Sequence, residues 1–132
     1  MWAANCAHFG ASVSVVQDRE LWHRIMDPGH PVKALMARRR GAAEGMGFAN
    51  YVLHPHTFSE RLVCYLEDLW VEPSARGAGV GRALIDALVE RGRTGGWRRI
   101  YWHVDAGNVA ARALYDRIAP ATGYVRYDIA LQ

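Results

Sequence analysis

Long apolar runs are missing from this chain: none approaches the ~20 residues that a bilayer-crossing helix requires, so a soluble protein is expected. Cysteine is scarce. The two present, Cys6 and Cys64, stand far apart without the spacing of a metal knuckle or a disulfide framework, which points to a reducing cytoplasm. The opening MWAANCAHFGAS has neither the basic start nor the apolar stretch of a secretory signal, and residues 1–12 read as a loose lead-in. Internal repeats and low-complexity linkers are also absent. The six histidines lack partners at metal-ligand spacing, so no metal is expected, and His54 and His56 of HPH fall in a solvated loop. His103 lies on a strand, where it either lines a cleft or is hydrogen-bonded structurally.

Charge of one sign is only mildly in excess. The formal net charge is +3 and the isoelectric point about 9.1, which suits an anionic ligand without indicating nucleic acid. The basic run ARRRG, Ala37–Gly41, reads as a solvated turn.

What is present is apolar material for one core. With 132 residues and 51% hydrophobic content, the chain is a single domain, 1–132. Ser14 and Gln17 have capping-box spacing, and Leu21, Trp22, Ile25 and Met26 follow on one face of a helix that stops at DPGHP. VKALMAR and MGFANYVLH read as a hairpin around RRGAAEG, and RLVCYLEDLWV as a longer third strand with Cys64 as a small core residue. Val80, Ala83, Leu84, Ala87 and Leu88 form a helical stripe that ends near GRTGG. A strand over RRIYWHV, a helix over NVAARALYDRIA and a closing strand over GYVRYDIAL complete the pattern. The class is α+β, with a mixed, mostly antiparallel central sheet flanked by helices.

The stretch RGAGVGRALIDAL sets a functional question. Unpaired N–H groups and the helix dipole make a helix start an anion site, and Gly77, Gly79 and Gly81 let backbone approach phosphate oxygens without a Cβ in the way. Arg76 and Arg82 flank the run, and no acidic residue occupies the first turn. A plain turn before an exposed arginine is the competing reading. The Walker pattern fails because Arg82 and Ala83 follow Gly81. The dinucleotide fingerprint fails on glycine spacing and on the five residues Glu72–Arg76 that separate strand from loop.

Glu67 and Asp68, adjacent on the third strand, are candidate proton acceptors. Strict alternation sets Glu67 with Val63, Tyr65, Leu69 and Val71, and Asp68 with Leu66 and Trp70, so only one faces a cleft unless a bulge intervenes. Taken alone, Tyr115 in ARALYDR is a core residue with a polar handle, and Asn108 an N-cap.

YLEDLWVEPSARGAGVGRALIDAL, with RRIYWHVDAGNVAARALYDRIAPATGYVRYDIAL after it, resembles the acetyl-CoA segment and following elements of the GNAT superfamily of N-acetyltransferases. The likeness runs from about Val13 to the end, and the spelling YLED is similar to the diamine and polyamine branch. The resemblance implies acetyl-CoA as donor, with backbone at Leu69, Trp70 and Val71 pairing with the pantetheine arm and an N–H there polarising the thioester carbonyl. It implies cofactor contacts from Arg76, Gly77, Ala78, Gly79, Val80, Gly81, Arg82, Asn108 and Arg112. Glu67 is then the base, Tyr115 the acid that protonates the leaving thiolate, and Asp68 a substrate contact or a structurally paired carboxylate. Direct transfer needs no covalent enzyme intermediate.

The family's usual first strand and helix have no counterpart in the opening residues, and a sheet edge so exposed is expected to be shielded in a homodimer. The expected function is transfer of an acetyl group to a primary amine of a small molecule: a diamine, a polyamine or an amino-acid-like compound. A protein lysine as acceptor, or a truncated acetyl-CoA-binding module with little activity, are the alternatives.

Overall fold

The computed structural model describes residues 1–131. Three strands form an antiparallel meander: β1 (Val32–Arg38), β2 (Gly45–His56) and β3 (Ser59–Val71). Helix α3 (Val80–Thr94) then crosses over, and β4 (Arg99–Tyr101) returns parallel to β3, giving the order β1-β2-β3-β4. The expected α+β class with a mixed sheet is the observed one.

Alternation along the strands assigns the two faces. Ala49, Tyr51, Cys64 and Leu66 point to α3 and pack with Val80, Leu84, Ile85 and Leu88 in a single core cluster. Leu88 and Cys64 are fully buried, and Ile85 nearly so. Each such aliphatic side chain contributes about 1.5–3 kcal/mol relative to exposure. The apolar stripe read from the sequence is the face that makes this contact.

The opposite face carries Phe48, Asn50, Asp68 and Trp70. Residues 1–12, expected to be loose, instead contain helix α1 (Trp2–His8), which covers this face. Its Asn5 and Cys6 are buried, Trp2 meets Phe48 edge-on at 6.1 Å, and His8 meets Trp70 at 5.9 Å. Seven residues are too few for a free helix to be stable, so tertiary packing rather than periodicity maintains α1.

Helix α2 (Val15–Met26) begins as expected: Gln17 N donates to Ser14 Oγ at 3.3 Å, and Ser14 N donates to Gln17 Oε1 at 2.9 Å. Such a cap is worth about 1 kcal/mol. Its apolar side is less covered than the pattern suggests, with Trp22 and Met26 both exposed.

The C-terminal third departs furthest from expectation. Strand pairing is confined to Arg99–Tyr101 of RRIYWHV, and helix α4 (Val109–Tyr115) stops before Asp116. GYVRYDIAL forms no strand: Tyr127, Ile129 and Leu131 are about nine-tenths exposed and make no ladder. β-propensity needs a neighbouring edge and a covered face, and this segment has neither. No helix among the described residues is long and apolar enough to cross a membrane.

Candidate active site

A bulge in β3 builds the centre of the site. Asn50 pairs with Asp68, but the next residue, Tyr51, pairs with Leu66, so Glu67 has no partner across the ladder. The extra residue reverses the alternation, and Leu69 and Val71 join Leu66 on the α3 side while Asp68 and Trp70 turn to α1. The strict period-two grouping is therefore corrected. Both carboxylates line one cleft of about 680 Å³.

Their surroundings differ. Asp68 Oδ1 accepts from Asn5 Nδ2 at 3.3 Å, and Oδ2 accepts from Asn50 Nδ2 at 3.1 Å. Both amides are buried, which fixes the Asp68 carboxyl in place. Glu67 reaches solvent and is not held in this way. Its acid form is favoured, first by partial desolvation in the cleft and then by the neighbouring Asp68 charge, so its pKa lies above the ordinary 4.5, with Arg126 acting in the other direction. Neither asparagine was singled out in the sequence. A polar Asn50 inside the apolar run MGFANYVLH was the available signal, since a buried amide requires a partner.

The glycine run forms one wall. Gly77 and Gly79 have φ of +76° and +81°, and a Cβ built at either would meet nothing within 4 Å. Gly79 is the N-cap of α3, so the free N–H groups of the first turn open beside that space. Backbone with positive φ, vacant space at the missing Cβ and a helix start fit the phosphates of a coenzyme A group. Gly81 serves another need: an added Cβ would stand 3.2 Å from Leu114 Cδ2 and 3.6 Å from Val71 Cγ2, so its smallness lets α3 approach β3 and α4.

The arginines divide. Arg82 Nε lies 2.9 Å from both Oδ1 and Oδ2 of Asp86, one turn on, an ion pair that offsets the unfavourable position of a cation in the first turn. Arg76 Nε donates to the Val71 carbonyl at 3.1 Å, and its guanidinium stacks on Trp70 at 5.1 Å. Arg76, Gly77, Gly79, Val80, Gly81 and Arg82 line the cleft together with Leu69, Trp70 and Val71. Ala78 and Arg112 are not in its lining, and Arg112 Nη1 instead donates to the Ala106 carbonyl at 3.1 Å.

Helix α4 closes the far side. Asn108 Oδ1 accepts from Ala111 N at 3.1 Å, which makes it an N-cap, and the residue also lines the cleft. Tyr115, at the last position of α4, lines it too, with its ring 5.3 Å from that of Trp102. Burial raises its phenol above the ordinary 10, so it keeps its proton at neutral pH. His103 faces the cleft as well, with Nδ1 hydrogen-bonded to Tyr65 Oη at 3.3 Å. Burial pushes the Cys64 thiol up to about 12, which leaves it no nucleophilic thiolate.

A second pocket of about 400 Å³ adjoins the first, and Glu67 and Asp68 line both. Its other walls come from residues ahead of β3, among them Trp2, Gln17, Leu21 and Arg24. The main cleft, apart from His8 and Phe9, is lined by residues from Glu67 onward. Sequence patterns gave no sign of this second pocket, because it forms between α1, α2 and the sheet only once the chain has folded.

A model of the acetyltransferase (GNAT) family matches residues 4–119. The D-amino-acid N-acetyltransferase of Saccharomyces cerevisiae is 34% identical over 79% of this chain, and the phosphinothricin N-acetyltransferase of Alcaligenes faecalis 33% identical over 80%. This chain spans 65% of the first relative's length and 50% of the second's. The crystal structure of a probable acetyltransferase superposes with a TM-score of 0.86 at 16% identity, covering 98% of this chain and 87% of the other, which shows the fold. The first relative's name refers to D-amino acids and neither name refers to a polyamine, so the polyamine branch suggested by YLED gains no support from them.

Proposed function

The chain belongs to the acetyltransferase (GNAT) family, and from that premise we propose that it transfers an acetyl group from acetyl-CoA directly to a primary amine of a small molecule. The observation that carries this reading is the bulge at Glu67, which sets a carboxylate where the main cleft and a second pocket adjoin.

Acetyl-CoA would be held by the backbone around Gly77 and Gly79 and by the β3 edge at Leu69–Val71, and it supplies an activated thioester. The remaining work falls to the protein. An alkyl ammonium with a pKa of ~10 cannot attack a carbonyl, so Glu67, directly or through a water, takes its proton while Asp68 holds the cationic head. A backbone N–H of Leu69–Val71 stabilises the charge that develops on the carbonyl oxygen. Once the C–N bond has formed, Tyr115 gives its phenolic proton to the departing sulfur as the C–S bond breaks, and the second proton shed by the nitrogen restores the phenol.

Purified protein tests this in two steps: thermal unfolding with and without acetyl-CoA, then release of free thiol in the presence of amines. No shift and no thiol would sink the reading. Self-association is part of the proposal, supported by the open sides of β1 and β4 and the exposed apolar tail. A monomer by light scattering at micromolar concentration would contradict it. Both cysteines are free and buried, which supports a reducing, cytoplasmic setting.

A further inference from the structure

The second pocket is lined by charges of both signs. Glu67 and Asp68 form the wall shared with the main cleft, and Arg24, from the last turns of α2, is the one cation in the lining among the described residues. The lining also includes Leu21, Val32 and Val52, which are apolar, and the ring of Trp2. Arg24 is half committed: its Nε donates to the Glu20 carbonyl at 3.3 Å, and its terminal nitrogens make no hydrogen bond or ion pair with described residues.

Resting on the function proposed above, the structure assigns this pocket to an acceptor that carries an anionic group beside its amine, an α-amino acid or close analogue, with Arg24 as the residue that selects it. A diamine or polyamine would bring a second cation towards Arg24, and like charges brought close together repel. An α-amino acid places its ammonium towards the two carboxylates, its carboxylate towards the guanidinium fork and its side chain against the apolar wall. The pocket is thus complementary to a zwitterion.

The test pairs leucine, in both enantiomers, with isopentylamine, which is the same molecule without the carboxylate. Calorimetric titration into the CoA-saturated protein and into the free protein reads binding without requiring turnover. Leucine of at least one hand is expected to bind about tenfold or more tightly than isopentylamine, since a hydrogen bond to a charged group is at stake. Arg24→Gln should remove that advantage and leave isopentylamine unchanged, and Arg24→Lys should restore part of it. In steady-state assays the Arg24→Gln loss should fall on KM rather than kcat. Equal binding of leucine and isopentylamine, or an Arg24→Gln protein that still prefers leucine, overturns the assignment. Failure of acetyl-CoA to stabilise the protein would instead overturn the transferase reading, while the leucine titration into the free protein would still decide the role of Arg24.

Discussion

Replacing Gly79 with alanine separates two roles of one residue. Its φ of +81° lies where a side chain is strained, and the space beyond its Cα holds no protein atom within 4 Å. Strain alone costs ~1–2 kcal/mol, a drop of several degrees in melting temperature for a domain of this size. Gly41 has φ of +79° and equally open surroundings, yet it sits in the β1–β2 turn, outside both pockets. Gly41→Ala is therefore the control, with the same strain and no ligand nearby. Acetyl-CoA at ~100 times its dissociation constant should add about 2.7 kcal/mol to the stability of the parent and of Gly41→Ala. A methyl group at residue 79 would occupy the approach of a phosphate oxygen. If that weakens affinity ~100-fold, the same concentration adds only about 0.4 kcal/mol, close to no shift. Differential scanning fluorimetry of the three proteins, each with and without acetyl-CoA, reads both effects. A Gly79→Ala protein that melts lower but keeps the full ligand shift would refute the placement of the phosphates at this loop.

Tyr115→Phe removes only the phenolic hydroxyl from a ring already packed on Trp102, so turnover should fall ~100-fold or more with the acetyl-CoA melting shift intact; unchanged turnover excludes the proton-donor role. The Glu67 pKa is raised, and a base works only when deprotonated. The rate should therefore fall as pH drops through that pKa, with the acid limb above pH 4.5. Glu67→Gln should lower the rate and erase the limb, and a limb that persists in this variant assigns the ionisation elsewhere.

Signals that act over short stretches of chain were readable in advance. The capping box at Ser14, the stripe from Val80 to Leu88 and the meander of three strands are local patterns, and each is found where expected. The glycine loop was legible as a turn into a helix, and Gly77 and Gly79 do take positive φ at the start of α3. Three features were not. The bulge at Glu67 depends on β2 as much as on β3, since Asn50 and Tyr51 pair with residues two apart. Helix α1 is held by partners more than forty residues away, Phe48, Asp68 and Trp70. The tail from Gly123 has a strand's composition without a strand's neighbour. In each case the deciding contact is distant, and composition is silent about it.

The two pockets also divide the gene. Nearly all of the main cleft is encoded from Glu67 onward, and the rest of the second pocket comes from residues ahead of β3. With the function proposed above, a recombination event within β3 would join a new acceptor half to an old donor half at the seam where the two pockets meet. Selection could then revise what is acetylated while the machinery that delivers the acetyl group is inherited unchanged.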